Sequence, residues 1–169
     1  MKKEKWVNIF TLAFTVAFLP PFWAVASTYV GVTVGAVALI CAGLFAVLNN
    51  DIKMALPVSL GFLCGDIWAV IATKVMGAST LGPNITVYLT LFVMGGCAVI
   101  IGSICEKFIF VPAWLAGWAI GLTIMGPMDP NALGTMPFQI GAAMLAGVWY
   151  VGVVGDLFQK MLAKFFLKK

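Results

Sequence analysis

Asp66 is the residue best placed to do chemistry, because it falls near the middle of the apolar run 56–75, LPVSLGFLCGDIWAVIATKV. About 20 apolar residues at 1.5 Å each span a bilayer core as a helix. A carboxylate at that depth costs at least roughly 2.5–3.5 kcal/mol on insertion scales, so it must face protein, a partner or water rather than lipid. There it can bind a cation, accept a proton or pair with an ammonium-bearing solute. Protonated and bonded to Ser59, Thr73 or a carbonyl of a neighbouring helix, it would instead tie helices together. Lys74 lies two turns on and can snorkel to an interface, and Asp156 can pair with Lys160 at i+4.

Aromatic and amide groups come next. Trp6, Trp114 and Trp118 fall where interfacial tryptophan belts are expected. Trp23, Trp68 and Trp149 fall deeper, where they would either pack as bulk or cage a cationic or planar solute by cation–π contact. Asn84, Thr86, Asn131, Thr135 and Gln139 supply polar groups toward the outer side. Gln139 matches Ser59 in a repeat described below, so the two can face each other across a pseudo-twofold axis or make ordinary helix–helix bonds.

Composition sets the surroundings. The 169 residues are 63% hydrophobic and 9% charged, with a mean hydropathy of +1.09. A soluble domain of that size cannot hide so much apolar surface, so lipid must cover part of it. All ten basic residues are lysines, and histidine is absent. The net charge of +4 therefore reads as topology information, and no basic stripe is present to grip nucleic acid. Cys41, Cys64, Cys97 and Cys105 lie in apolar segments without CxxC spacing. They read as small apolar side chains, not as a metal or cofactor site. Without histidine, a nucleophile–base–orienter set is not visible and no phosphate loop occurs, so an enzyme is not expected.

Six apolar segments follow, at 7–27, 29–48, 55–76, 84–104, 108–126 and 135–158, joined by short turns with no room for a soluble insert. The expected fold is a single all-α membrane domain over 1–169 with six transmembrane helices. Pro20 and Pro21 break the first segment, and a bent or re-entrant element there would leave five crossings. Lysine placement favours six: Lys2, Lys3, Lys5, Lys53, Lys107, Lys160, Lys164, Lys168 and Lys169 then share one side, with Lys74 opposite. By the positive-inside rule both termini are cytoplasmic. The tail 158–169 sets Leu, Met and Phe against lysines, as an amphipathic helix lying on anionic lipid does.

The third segment carries Leu56-Pro57, Gly61 and then Trp68, and the sixth carries Met136-Pro137, Gly141 and then Trp149. Upstream, Gly43-Leu44 and Gly121-Leu122 precede Asn- and Asp-containing turns. Two three-helix units, 7–76 and 84–158, would then enter the membrane from opposite faces, as inverted repeats of channels and transporters do. The bland alternative is that proline followed by small residues is common at membrane-helix starts. Gly61 and Gly65, Gly117 and Gly121, Gly31 and Gly35, and Gly141 offer small faces for close helix packing within or between subunits.

The runs Phe-Trp-Ala-Val-Ala at 22–26 and Gly-Asp-Ile-Trp-Ala at 65–69 carry a resemblance to a known family. So do Phe110-Val111-Pro112 followed by Gly117 and Gly121, and the Pro137 and Gly141 helix. The chain resembles the YcdZ-like proteins, small bacterial inner-membrane proteins grouped under a domain of unknown function. The resemblance implies several spanning helices and an inner-membrane location, and assigns no functional residues. Two functions stay open. One is a channel or permease for a small solute, with its site between the third and sixth helices near Ser59, Asp66, Trp68, Gln139 and Trp149. The other is an accessory subunit that docks a partner protein. So small a bundle is expected as a symmetric homo-oligomer.

Overall fold

The computed structural model describes residues 2–167, with side chains from residue 4, so the expected contributions of Lys168 and Lys169 to the tail lie outside the described residues. All regular structure among them is helical: α1 (Lys2–Tyr29), α2 (Val37–Val47), α3 (Ile52–Ala78), α4 (Pro83–Ile104), α5 (Val111–Met125) and α6 (Met136–Ala146). A π-helical stretch, Gly147–Val154, joins α6 without a break to α7 (Gly155–Leu167). Four helices are long and apolar enough to cross a membrane: Glu4–Tyr29, Ile52–Ala78, Pro83–Ile104 and the continuous Met136–Leu167. α2 and α5 are shorter, at 11 and 15 residues. Large side chains such as Phe18, Phe22, Tyr88, Phe92 and Ile100 are exposed on the outer faces. An apolar belt of that extent belongs in lipid, and the chain is a membrane protein.

The helix ends follow local chemistry. Asn49 and Asn50 adopt left-handed backbone, with φ of 55° and 51°, which asparagine tolerates better than most residues. Asp51 then caps α3, accepting a hydrogen bond from the Lys53 amide at 3.0 Å. Pro83, Pro112 and Pro137 stand in the first turns of α4, α5 and α6, where a missing N–H removes no helix bond.

Two expectations at the N-terminal end need correction. Pro20 and Pro21 lie inside an unbroken α1. They deprive only the Val16 and Ala17 carbonyls of their helix donors, a defect that membrane helices commonly tolerate. The second helix starts at Val37 instead of 29, because residues 30–36 form turns. Gly31 has φ +78°, the Val32 amide donates to Ser27 O at 2.9 Å, and the Trp23 indole donates to Gly35 O at 3.2 Å. These bonds replace the helical ones that an apolar sequence alone would suggest.

Contacts fix the helix directions. Gly61 meets Phe110 and Ala113, Gly65 meets Trp114 and Gly117, and Gly121 meets Ala69, so α3 and α5 run parallel. Gly147 meets Ala38 and Gly152 meets Phe45, so α2 runs parallel to the α6–α7 rod. Trp149 reaches Ser59 while Gly141 meets Leu63, which makes α3 and α6 antiparallel. α1 opposes the rod through Trp23–Tyr150 and Phe14–Phe158 ring contacts, and α4 opposes α5 through Gly95–Trp118 and Gly102–Val111. Directions therefore alternate along the chain. Lys5, Lys53, Lys107, Lys160 and Lys164 lie toward one end of the bundle and Lys74 toward the other. The tail continues the rod as α7 and packs along α1, with Asp156 and Lys160 paired at 2.6 Å.

Candidate functional site around Asp66

Glycines on three helices create the position of Asp66. On α3, a Cβ on Gly61 would lie 2.6 Å from the Phe110 carbonyl oxygen, and one on Gly65 would overlap the Trp114 carbonyl. From α5, a Cβ on Gly117 would lie 2.6 Å from the Phe62 carbonyl oxygen. The two backbones therefore touch, the kind of approach that small residues permit in membranes. Gly121 of α5 and Gly141 of α6 then flank the carboxyl, and a Cβ on either would come 3.6 Å from Oδ1 or Oδ2 respectively. Asp66 is 6% exposed.

Within this enclosure Oδ1 is buried with no hydrogen-bond partner among the described residues. Neither of the two hydroxyls expected near it bonds to Oδ1. Thr73 donates to Ala69 O at 2.8 Å, and Ser59 accepts from the Trp149 indole at 3.0 Å. A buried acceptor without a donor costs about 1–3 kcal/mol, and more if charged. Such a group calls for an explanation other than stability.

The remaining candidates are placed apart from it. Gln139 Oε1 accepts from the Thr33 amide at 2.9 Å and the Thr33 hydroxyl at 2.8 Å, while its Nε2 donates to Thr135 Oγ1 at 3.0 Å. It anchors the 30–36 turns. Because α3 and α6 are antiparallel, Ser59 and Gln139 lie at opposite ends of that pair and do not face each other. The Trp68 indole donates to Met94 O on α4 at 3.0 Å, and two residues along a helix turn it away from the Asp66 face. Trp23, Trp68 and Trp149 thus have separate partners and form no cage around the carboxyl.

Sequence reasoning missed a second cluster. Trp114 and Trp118, expected in interfacial belts, are 3% and 7% exposed. Gly102 and Gly95 of α4 leave room for their rings, and Trp114 meets Trp68 edge-to-face with centroids 5.3 Å apart. Both indole nitrogens are buried without partners among the described residues. The seven-residue spacing of Gly95 and Gly102 was the available signal, since it places two notches on one face of α4.

All four cysteines are free, and among the described residues no group of three or more histidine, cysteine or acidic side chains gathers to hold a metal. Neither the curated proteins nor the solved structures contain a match to this chain. A family profile does match, over residues 13–160, and the chain belongs to that family, described as protein of unknown function (DUF1097).

Proposed function

We propose that this protein is a channel or permease for a small solute, with Asp66 as the binding group inside the bundle, between α3, α5 and α6. The observation that carries this reading is the enclosed carboxyl whose Oδ1 has no hydrogen-bond partner among the described residues. Intramembrane acids are expensive and characteristically sit on ion, proton or substrate pathways. Ser59 and Trp149 mark one end of the α3–α6 interface and Gln139 the other.

The finer architecture belongs to the same proposal. Six alternating crossings are supported by the helix directions and by the lysine distribution. Two inverted units are supported by a long–short–long order of helices in each half and by the parallel pairs α3–α5 and α2–α6. Eighty residues separate Pro57 from Pro137 and Gly61 from Gly141, but eighty-one separate Trp68 from Trp149. A π-helical turn accommodates one such inserted residue, and one lies at Gly147–Val154. The match is one of elements more than residues: Gly43 faces open space, whereas Gly121 abuts Ala69 beside Asp66. The resemblance to YcdZ-like proteins and the lysine bias support a bacterial inner membrane with both termini cytoplasmic. The small interior supports a homo-oligomer.

A second reading, an accessory subunit that docks a partner protein, is favoured by the close glycine packing around the carboxyl, which suits a fixed structural joint. Purified protein in vesicles separates the two. Solute flux by the wild type that Asp66→Asn and Asp66→Ala both abolish supports transport, and flux unchanged in both variants removes Asp66 from the role.

A further inference from the structure

Two clefts lie at opposite ends of the bundle, in places that exchange when the two proposed units are exchanged. The first, about 590 Å³, is bounded by the C-terminal parts of α3 and α5 and the N-terminal half of α4, with Thr73, Ser79 and Thr86 on its wall. The second, about 180 Å³, is bounded by the α6–α7 rod, the C-terminal part of α2 and the middle of α1, with Thr15, Asn50, Asp156 and Gln159 on its wall. Swapping α3 for the rod, α4 for α1 and α5 for α2 turns one set of walls into the other. One cleft opens toward the α3–α4 turn and the other toward the α2–α3 turn.

We infer that these clefts are the two mouths of one pathway, on opposite membrane faces, and that they admit a small cation. The inference rests on the transport reading above. Asp66 lies at a level between them: Thr73 on the first cleft is two turns beyond it along α3, with Ala69 and Gly121 packed between, and the rod that places Gly141 beside the carboxyl runs on to Val151 at the second cleft. The fully buried Met125, whose methyl would lie 3.3 Å from a Cβ on Gly121, stands beside that constriction. Its unbranched thioether can change rotamer without moving backbone. Oxygen donors define the ligand. Hydroxyl and amide oxygens line the clefts, the one carboxylate, Asp156 on the second, is paired with Lys160 at 2.6 Å, and Asn50 Oδ1 is buried without a partner among the described residues. A site between two inverted units, reached in turn from each face, is the arrangement that alternating access uses.

The test places one new thiol in each mouth of the full chain: Thr86→Cys, close to isosteric, and Gly43→Cys, whose Cβ meets nothing within 4 Å. Sealed vesicles of both orientations receive membrane-impermeant methanethiosulfonates, one cationic and one anionic. Labelled peptides are located by mass spectrometry, which separates the new thiols from the four native cysteines. Thr86→Cys should label from one face and Gly43→Cys from the other, and both should label after denaturation. Normalised to its rate with free cysteine, the cationic reagent should react several-fold faster than the anionic one. Labelling of both from one face, or of neither until denaturation, overturns the two mouths, and equal or reversed rates overturn the cation. Sided labelling combined with flux that survives Asp66→Asn would defeat only the assignment of Asp66.

Discussion

The parallel pair α3–α5 and the parallel pair α2–α6 answer the same topological need with different chemistry. In α3–α5 four glycines, Gly61, Gly65, Gly117 and Gly121, bring backbone against backbone. In α2–α6 the closest approach is Gly147 on the Ala38 carbonyl, after which the rod changes to π-helix and Gly152 packs on the Phe45 ring. One pair holds a carboxyl beside its glycines. The other has only Ala146 and Gly147 at the corresponding level. A membrane bundle gains little from expelling apolar groups into lipid, so its order comes from close packing and internal bonds. The tighter seam encloses the group that packing alone would not select.

The comparison is broken most sharply by one chemical change made in both halves. Gly65→Ala sets a methyl into the Trp114 carbonyl and 2.5 Å from the Trp118 amide nitrogen. Backbone must move, so we expect a loss of about 3 kcal/mol, the upper end for overpacking. Gly43→Ala on α2 meets nothing within 4 Å and should gain up to about 1 kcal/mol from helix propensity. Reversible unfolding in mixed micelles reads both, and equal effects would show that the α3–α5 seam is no tighter than an open helix face. Gln139→Ala should cost about 1–2 kcal/mol by freeing the Thr33 amide and hydroxyl. Its signature is faster hydrogen exchange at Thr33, with Ala69 and Thr73 on α3 unchanged. Trp149→Phe removes the indole bond to Ser59 and should cost about 1 kcal/mol, visible as a small fall in the same unfolding curve. Lys160→Ala, on an exposed i,i+4 pair, should change stability by no more than about 0.5 kcal/mol and less at high salt.

Much of this was legible in the sequence where one residue type dictates one local structure. Pro137 opens α6 as its missing N–H allows, although Pro57, matched to it in the repeat, lies inside α3. The inward orientation of Asp66 followed from its place in an apolar run, where a carboxylate cannot face lipid. What escaped depended on partners distant in the chain. The 30–36 turns look helical by composition, and the bonds from Trp23 and to Gln139 that hold them arise only after folding. The burial of Trp114 and Trp118 required knowing that α4 turns Gly95 and Gly102 toward them. Gln139 was matched to Ser59 by motif, but antiparallel packing of α3 and α6 carries matched positions to opposite ends.

The central claim is that Asp66 is retained for a ligand and contributes nothing to the stability of its enclosure. One set of purified samples tests it: wild type, Asp66→Asn and Asp66→Ala, each measured for unfolding and for solute flux in vesicles. Asp66→Ala should fold at least as stably as the wild type, because it removes the buried carboxyl whose Oδ1 lacks a donor among the described residues; Asp66→Asn keeps a buried amide there without the charge and should not unfold far more easily, and both should lose flux. A variant pair that unfolds far more easily, or that transports as the wild type does, would contradict the account.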